Sequence, residues 1–218
     1  MSSQYDVVAV GNAIIDLIQP VTDGFLAEEG IAKDAMTLID EARADHLTAR
    51  LSEAIVAAGG SAANTMTGIA SFGGKAGYIG KVADDALGAR FREEFRAAGV
   101  AFDTPARSAP PGTARSIIAV TPDGHRSMNT YLGASTLLNP EDIDAELIRA
   151  GETLFLEGYL FDRDEAKVDN RRRSGSCVPG APWPRAAPLI STTSRAPAST
   201  RSQASAKVLH SDSRPTSR

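Results

Sequence analysis

Residues Tyr5–Gly11, "YDVVAVG", form a short unbroken apolar run closed by a glycine. A strand with one solvated face alternates apolar and polar residues, whereas a strand buried on both faces does not. The run therefore reads as a strand that needs helices above and below it. "KAGYIGKV" and "ETLFLEGYLF" repeat the signal, and helical segments lie between them. "AIIDLI" continues extended after the first run, and "DEARADHLTARLSEA" reads as an exposed helix with charges over most of its surface. "DDALGARFREEFRAAG" is the clearest helix, with Asp84 as N-cap, a stripe of Leu87, Phe91, Phe95 and Ala98, and Gly99 just past its end. "NPEDIDAELIRAG" opens on an Asn-Pro start signal and reads as another helix. Such alternation predicts a parallel α/β sheet. "TARSIIAVTPDGHRSMNTYLGAS" departs from it: Pro122-Asp123-Gly124 supplies turn chemistry for a hairpin, which predicts a smaller sheet elsewhere.

This organisation stops near Val168. Up to Lys167 the chain has 14 Lys and Arg against 25 Asp and Glu; from Val168 to Arg218 the numbers are 9 and 2. All seven Phe and all four Tyr precede Val168, and the remainder is rich in Ser, Arg, Pro and Ala. A segment so poor in apolar surface does not offset its ordering entropy, so disorder is expected there. The chain divides into residues 1–167, a folded α/β part, and residues 168–218, a basic tail expected to be an out-of-frame or unrelated continuation. Sequencing the gene around codon 168 tests this; absence of any single-base shift that restores an α/β reading would refute it.

Several function classes are excluded at this level. No apolar run spans a bilayer, and the N-terminus lacks the basic and apolar pattern of a secretory signal, so a cytoplasmic protein without a membrane partner is expected. The single cysteine, Cys177, excludes an internal disulfide and a cysteine metal cluster. His46, His125 and His210 are scattered and read as solvent-exposed. The basic tail lacks interleaved aromatics and a scaffold, which argues against nucleic acid as a partner.

The stretch "VAAGGSAANTMTGIASFGG" holds the candidate site. Adjacent glycines at the mouth of a helix let a ligand approach the backbone, and that ligand is either a phosphate or a hydroxyl-rich substrate. A dinucleotide loop needs G-x-G-x-x-G, but "VAVGNAIID" has one glycine. A phosphate loop of the G-x-x-x-x-G-K-S/T type fails too: Gly68 to Gly74-Lys75 has one residue too many, and Ala76 follows. Asp16, in an apolar strand, is either an edge-strand surface residue or a carboxylate aimed at a ligand. Asn12 shares its side of a regular strand but would stand ~13 Å away, so either the chain bends near Gly11-Asn12 or Asp16 acts alone. Ser61 is expected to cap the following helix. Asn64 leans back over Gly59 and Gly60, and serves either a ligand or a local hydrogen bond.

The order of these motifs resembles a known family. "VGNAIIDL", then "GGSAANT" about fifty residues on, then "GKVADDALG", then "MNTYLGA" resemble the ribokinase-like carbohydrate and nucleoside kinases, or phosphofructokinase B family. The adenosine kinase-like branch is the most similar. The resemblance covers about Tyr5 to Lys167. It implies a three-layer α/β domain with a small β-sheet lid, supplied here by segments near "AMTLID", "IVAAGG" and the hairpin. It implies that Asp16 accepts hydrogen bonds from substrate hydroxyls with Asn12 beside it, that Gly59 and Gly60 let the sugar lie against backbone, and that Asn64 holds a ring hydroxyl. Glu157 in "FLEGYL" matches the same pocket more loosely.

The resemblance further implies phosphoryl transfer from ATP with Mg²⁺ to a primary hydroxyl of a small-molecule sugar or nucleoside, and a homodimer through the lid. The family's base is an aspartate in a Gly-Ala-Gly-Asp segment beside the ATP site, and this chain contains no such segment. The expectation is therefore a kinase by descent with the substrate site but without the catalytic base and the ATP site, inactive alone. The alternatives are a non-catalytic sugar- or nucleoside-binding fragment, or a basic-tailed interaction protein.

Overall fold

The computed structural model describes residues 4–161. The basic segment 168–218 and its expected disorder lie outside the described residues.

Two sheets share the domain. Strands β1 (Tyr5–Val10), β5 (Ala76–Ile79), β6 (Val100–Ala101) and β9 (Gly151–Leu156) form a parallel sheet in the order β6-β5-β1-β9. Strands β2 (Ile14–Pro20), β3 (Met36–Leu38), β4 (Ile55–Gly59), β7 (Ala114–Val120) and β8 (Arg126–Tyr131) form a mixed sheet in the order β3-β8-β7-β2-β4. Among the described residues five α-helices accompany them: α1 (Asp23–Glu28), α2 (Glu41–Ala49), α3 (Ser61–Ser71), α4 (Ala86–Ala97) and α5 (Ala145–Arg149). The fold is the expected ribokinase-like α/β arrangement with a second sheet, although among the described residues that sheet is the larger, with five strands against four.

The parallel sheet is covered on both faces, as the unbroken apolar run required. On one face Ala9 and Tyr78 pack with Met66 of α3 and Phe91 and Phe95 of α4. On the other, Leu147 of α5 lies over Gly77 and Val8. The first core extends without a break under the second sheet through Ile15, Leu17, Ile117 and Ala119. At its centre Tyr78, Phe91, Phe95 and Phe102 form an aromatic cluster, with Phe91 stacked on Phe95 at 4.5 Å and Tyr78 edge-on to Phe95 at 5.2 Å. Offset and edge-on contacts of this kind add to the burial free energy of the rings.

"AIIDLI" is extended as expected, as a separate strand: β1 ends at Val10 and β2 begins the other sheet at Ile14. Local expectations are corrected in three places. The helix after Asp40 stops at Ala49, and "IVAAG" is strand β4, because Ile55 and Val56 pair with β2. The N-cap of α4 is Asp85, not Asp84; its carboxylate accepts from Gly88 N–H and also from the amide and hydroxyl of Thr113. "NPEDIDAELIRAG" splits into a 3-10 turn at Pro140–Asp142, capped by Asn139, and the separate α5, capped by Asp144. Each aspartate or asparagine cap here satisfies backbone donors that the helix itself leaves open, so a second cap signal starts a second helix.

The hairpin forms as expected, β7 and β8 pairing from Arg115–Tyr131 to Val120–Arg126. Among the described residues no helix is long and apolar enough to cross a membrane.

Candidate functional site

The site is built where the chain passes from one sheet to the other. Gly11, Asn12 and Ala13 connect β1 of one sheet to β2 of the other, so Asn12 and Asp16 do not share one straight strand. Asn12 is buried, and its backbone is held at both ends. Its N–H donates to Glu157 Oε2 at 2.6 Å, and its carbonyl accepts from the Tyr78 hydroxyl at 2.9 Å.

The two glycines serve two different neighbours. Gly60 has φ +106°, a region that disfavours any side chain, and a Cβ there would stand 2.5 Å from the Asn12 carbonyl oxygen. Gly59, at the end of β4, has ordinary dihedrals, but a Cβ there would stand 2.2 Å from Asp16 Oδ2. The pair thus seats the Asn12 carbonyl on one residue and the Asp16 carboxylate on the other. Four of the five residues expected from sequence (Asn12, Asp16, Gly59 and Gly60) are in this way brought into one place.

Asn64 is exposed in the first turn of α3, and its N–H donates to the Gly60 carbonyl at 2.8 Å. Among the described residues its side chain has no hydrogen-bond partner, so the local bond offered as an alternative is not made. The expected Ser61 cap is also corrected. Gly60 is the N-cap residue and Ser61 is already helical. The open end of α3 is closed instead by Glu157, whose Oε1 accepts from the Ser61 hydroxyl and from Ala62 N–H at 3.2 Å.

Asp16 sits on the second sheet between Ala57 of β4 and Ser116 of β7. Ser116 is in turn opposite Thr130 of β8, and their hydroxyls hydrogen-bond at 2.8 Å. Register places all three side chains on one face of the sheet, in a polar row across three strands. Burial pushes the Asp16 carboxyl up to about 6, partly countered by the positive charge of Arg126. Among the described residues no donor is hydrogen-bonded to that carboxylate. A half-buried acceptor without a donor of its own suits a ligand that brings hydroxyl groups.

The N-terminus of α3 already has an acidic partner. A helix N-terminus is a ready anion site, but here the anion is the protein's own Glu157. The described residues also contain no group of three or more acidic, His or Cys side chains placed to hold a metal ion. His46 and His125 lie at the surface and face Glu29 (2.8 Å) and Asp34 (3.2 Å).

Sequence reasoning undervalued Glu157 and passed over Tyr78, Ser116 and Thr130. The available signal for Glu157 was a carboxylate ending an apolar strand; for the others no local pattern marks a role.

Comparison with known proteins is consistent with this geometry. The model of the pfkB family of carbohydrate kinases matches residues 4–179. The chain is similar to an adenosine kinase from Sinorhizobium meliloti, with 49% identity and a TM-score of 0.73, covering 79% of this chain and 53% of that one. It is 32% identical over 115 residues to an aminoimidazole riboside kinase from Salmonella typhimurium, covering 51% of this chain and 36% of that protein. An adenosine kinase from Schistosoma mansoni in complex with adenosine shares the fold at 22% identity and a TM-score of 0.67, covering 80% of this chain and 52% of that one. The chain thus spans about a third of the curated relative and about half of the solved structures.

Proposed function

The chain belongs to the pfkB family of carbohydrate kinases, and from that membership we propose that residues 1–167 are the substrate-holding part of a kinase for a nucleoside or sugar. In this reading Asp16 accepts hydrogen bonds from ring hydroxyls, and Asn12 and Asn64 flank them. Gly59 and Gly60 let the ring lie against backbone. The observation that carries the reading is the Asp16 carboxylate, half-buried, seated on Gly59 and lacking a protein donor among the described residues. Adenosine heads the candidate ligands because the similarity to the Sinorhizobium adenosine kinase is the highest of those reported above.

MgATP supplies the phosphoryl group in this chemistry, and we propose that its site and the base that deprotonates the acceptor hydroxyl lie outside this chain. The occupied N-terminus of α3 supports that division of labour. Calorimetry with adenosine, ribose and fructose, beside an ATP-turnover assay, tests the proposal. Binding without turnover is expected. Robust phosphorylation would overturn the missing-base reading, and absence of binding to all three would overturn the substrate-site reading.

Met36, Leu38 and Ile55 are exposed on the two edge strands of the second sheet, on the Asp16 face by register. We assign them to the contact of a homodimer through this lid sheet.

A further inference from the structure

Glu157 is a charged residue only 3% exposed, at the point where β9 ends. A buried carboxylate is expensive unless its oxygens are filled by donors. Here they are filled from two separate elements. Oε2 takes the Asn12 amide of the bend; Oε1 takes the Ala62 amide and the Ser61 hydroxyl at the start of α3. The carboxylate also lies at the positive end of the helix macrodipole.

Every group it holds adjoins a residue of the proposed substrate site. Asn12 is one such residue itself. Ser61 and Ala62 stand between Gly60 and Asn64, and Gly60 packs against the Asn12 carbonyl. The Tyr78 hydroxyl fixes that same carbonyl from the aromatic cluster. The bend and the helix mouth are therefore held to each other through one side chain, 145 residues from Asn12 in sequence.

We propose that Glu157 is a positioning residue: an internal anion that occupies the N-terminus of α3, locks the 11–13 bend to the helix mouth, and so sets Asn12 and Asn64 toward the substrate without touching it. This rests on the substrate-site reading above. It also separates Glu157 in kind from Asp16, whose carboxylate is open to a ligand, and it accounts for a helix whose cap residue is a glycine without a side-chain acceptor.

The test uses the full chain, adenosine as the probe, and the variants Glu157→Gln, Asn12→Ala and Asp16→Asn singly and in pairs. Glu157→Gln keeps the shape but turns an amide donor toward one set of backbone donors, and adenosine binding is expected to weaken about tenfold or more. Asn12→Ala should then add little in the Glu157→Gln background, whereas Asp16→Asn should add in full. A residue that merely stabilised the fold would leave both pairs additive. Wild-type affinity in Glu157→Gln, or simple additivity with Asn12→Ala, overturns the proposal. Should Glu157→Gln not fold, Ser61→Ala removes a single donor and should show the same selective coupling in smaller degree; additivity there overturns the proposal equally.

Where ribose or fructose binds and adenosine does not, that sugar replaces adenosine as the probe; if the wild-type chain binds none of the three, the substrate-site reading fails, and amide hydrogen exchange then decides the lock on its own. Glu157→Gln, or Ser61→Ala in its place, should accelerate exchange at Asn12 and Ala62 while Val8 and Ala9 stay protected. Unchanged protection at Asn12 and Ala62 overturns the proposal.

Discussion

The Asp16 carboxylate rests on the backbone of Gly59, so closely that a Cβ on that glycine would lie 2.2 Å from Oδ2. The contact ties a strand that would otherwise be an ordinary apolar element to the glycine pair at the mouth of α3. It also distinguishes the two glycines by what a substitution would displace.

Gly59→Ala pushes against the end of a short side chain, which rotates away at little expense to the fold. Gly60→Ala pushes against the Asn12 carbonyl from a backbone with φ +106°. The expected outcome is a split: Gly59→Ala melts near wild type but binds adenosine at least about tenfold more weakly, while Gly60→Ala destabilises by about 1–3 kcal/mol. Thermal melting paired with calorimetry checks it; equal losses of stability would refute it.

Asp16 titrates at about 6 in the folded chain against an ordinary 3.8. The folded state therefore holds this proton more tightly than the unfolded state. Its favourable contribution is full below about pH 4 and is lost as pH rises through about 6. Asp16→Asn should accordingly stabilise the chain above pH 6, by roughly 1–2 kcal/mol after solvent screening, and change little at pH 4. Ligand binding runs the opposite way, because the ionised form is the better acceptor. Wild-type affinity should fall below pH 6, and that dependence should vanish in Asp16→Asn. Denaturant melts and calorimetry across pH 4–8 measure both.

Tyr78→Phe retains the aromatic cluster and deletes one hydroxyl, leaving the buried Asn12 carbonyl without its donor. The expected loss is about 1–3 kcal/mol. Phe95→Ala, which empties part of the same cluster, should cost about 3–5 kcal/mol. A Tyr78→Phe variant as stable as wild type would mean that the hydroxyl does not hold the bend.

Among the described residues β9 pairs on one side only, with β1. An open strand edge recruits other chains, so concentration-dependent association and poor solubility are expected. Sedimentation of Leu38→Lys, Ile55→Lys and Leu154→Lys separates the routes. Loss of association in the first two locates it on the lid sheet; loss in the third locates it at β9. A monomeric, cooperatively melting wild type would refute both.

Much of the scaffold was legible because its signals are local. The unbroken run at β1, the Phe91–Phe95 stripe of α4 and the Pro122-Asp123-Gly124 turn all produced the element expected. Each depends on periodicity or turn chemistry within a dozen residues. Cap positions slipped, as with Asp84 and Asp85 or Ser61 and Gly60, because neighbouring residues with similar caps compete and packing decides between them.

The motif order by itself pointed to five candidate site residues: Asn12, Asp16, Gly59, Gly60 and Asn64. Only the tertiary structure decided how they meet. The change of sheet at Gly11–Ala13, the Asp16 carboxylate against Gly59, and Glu157 filling the end of α3 join residues between 43 and 145 positions apart. Contacts at that separation follow from how two sheets share one core, and no local pattern encodes them. A carboxylate at the end of an apolar strand reads the same in sequence whether it meets a ligand or a helix N-terminus; its donors settle which.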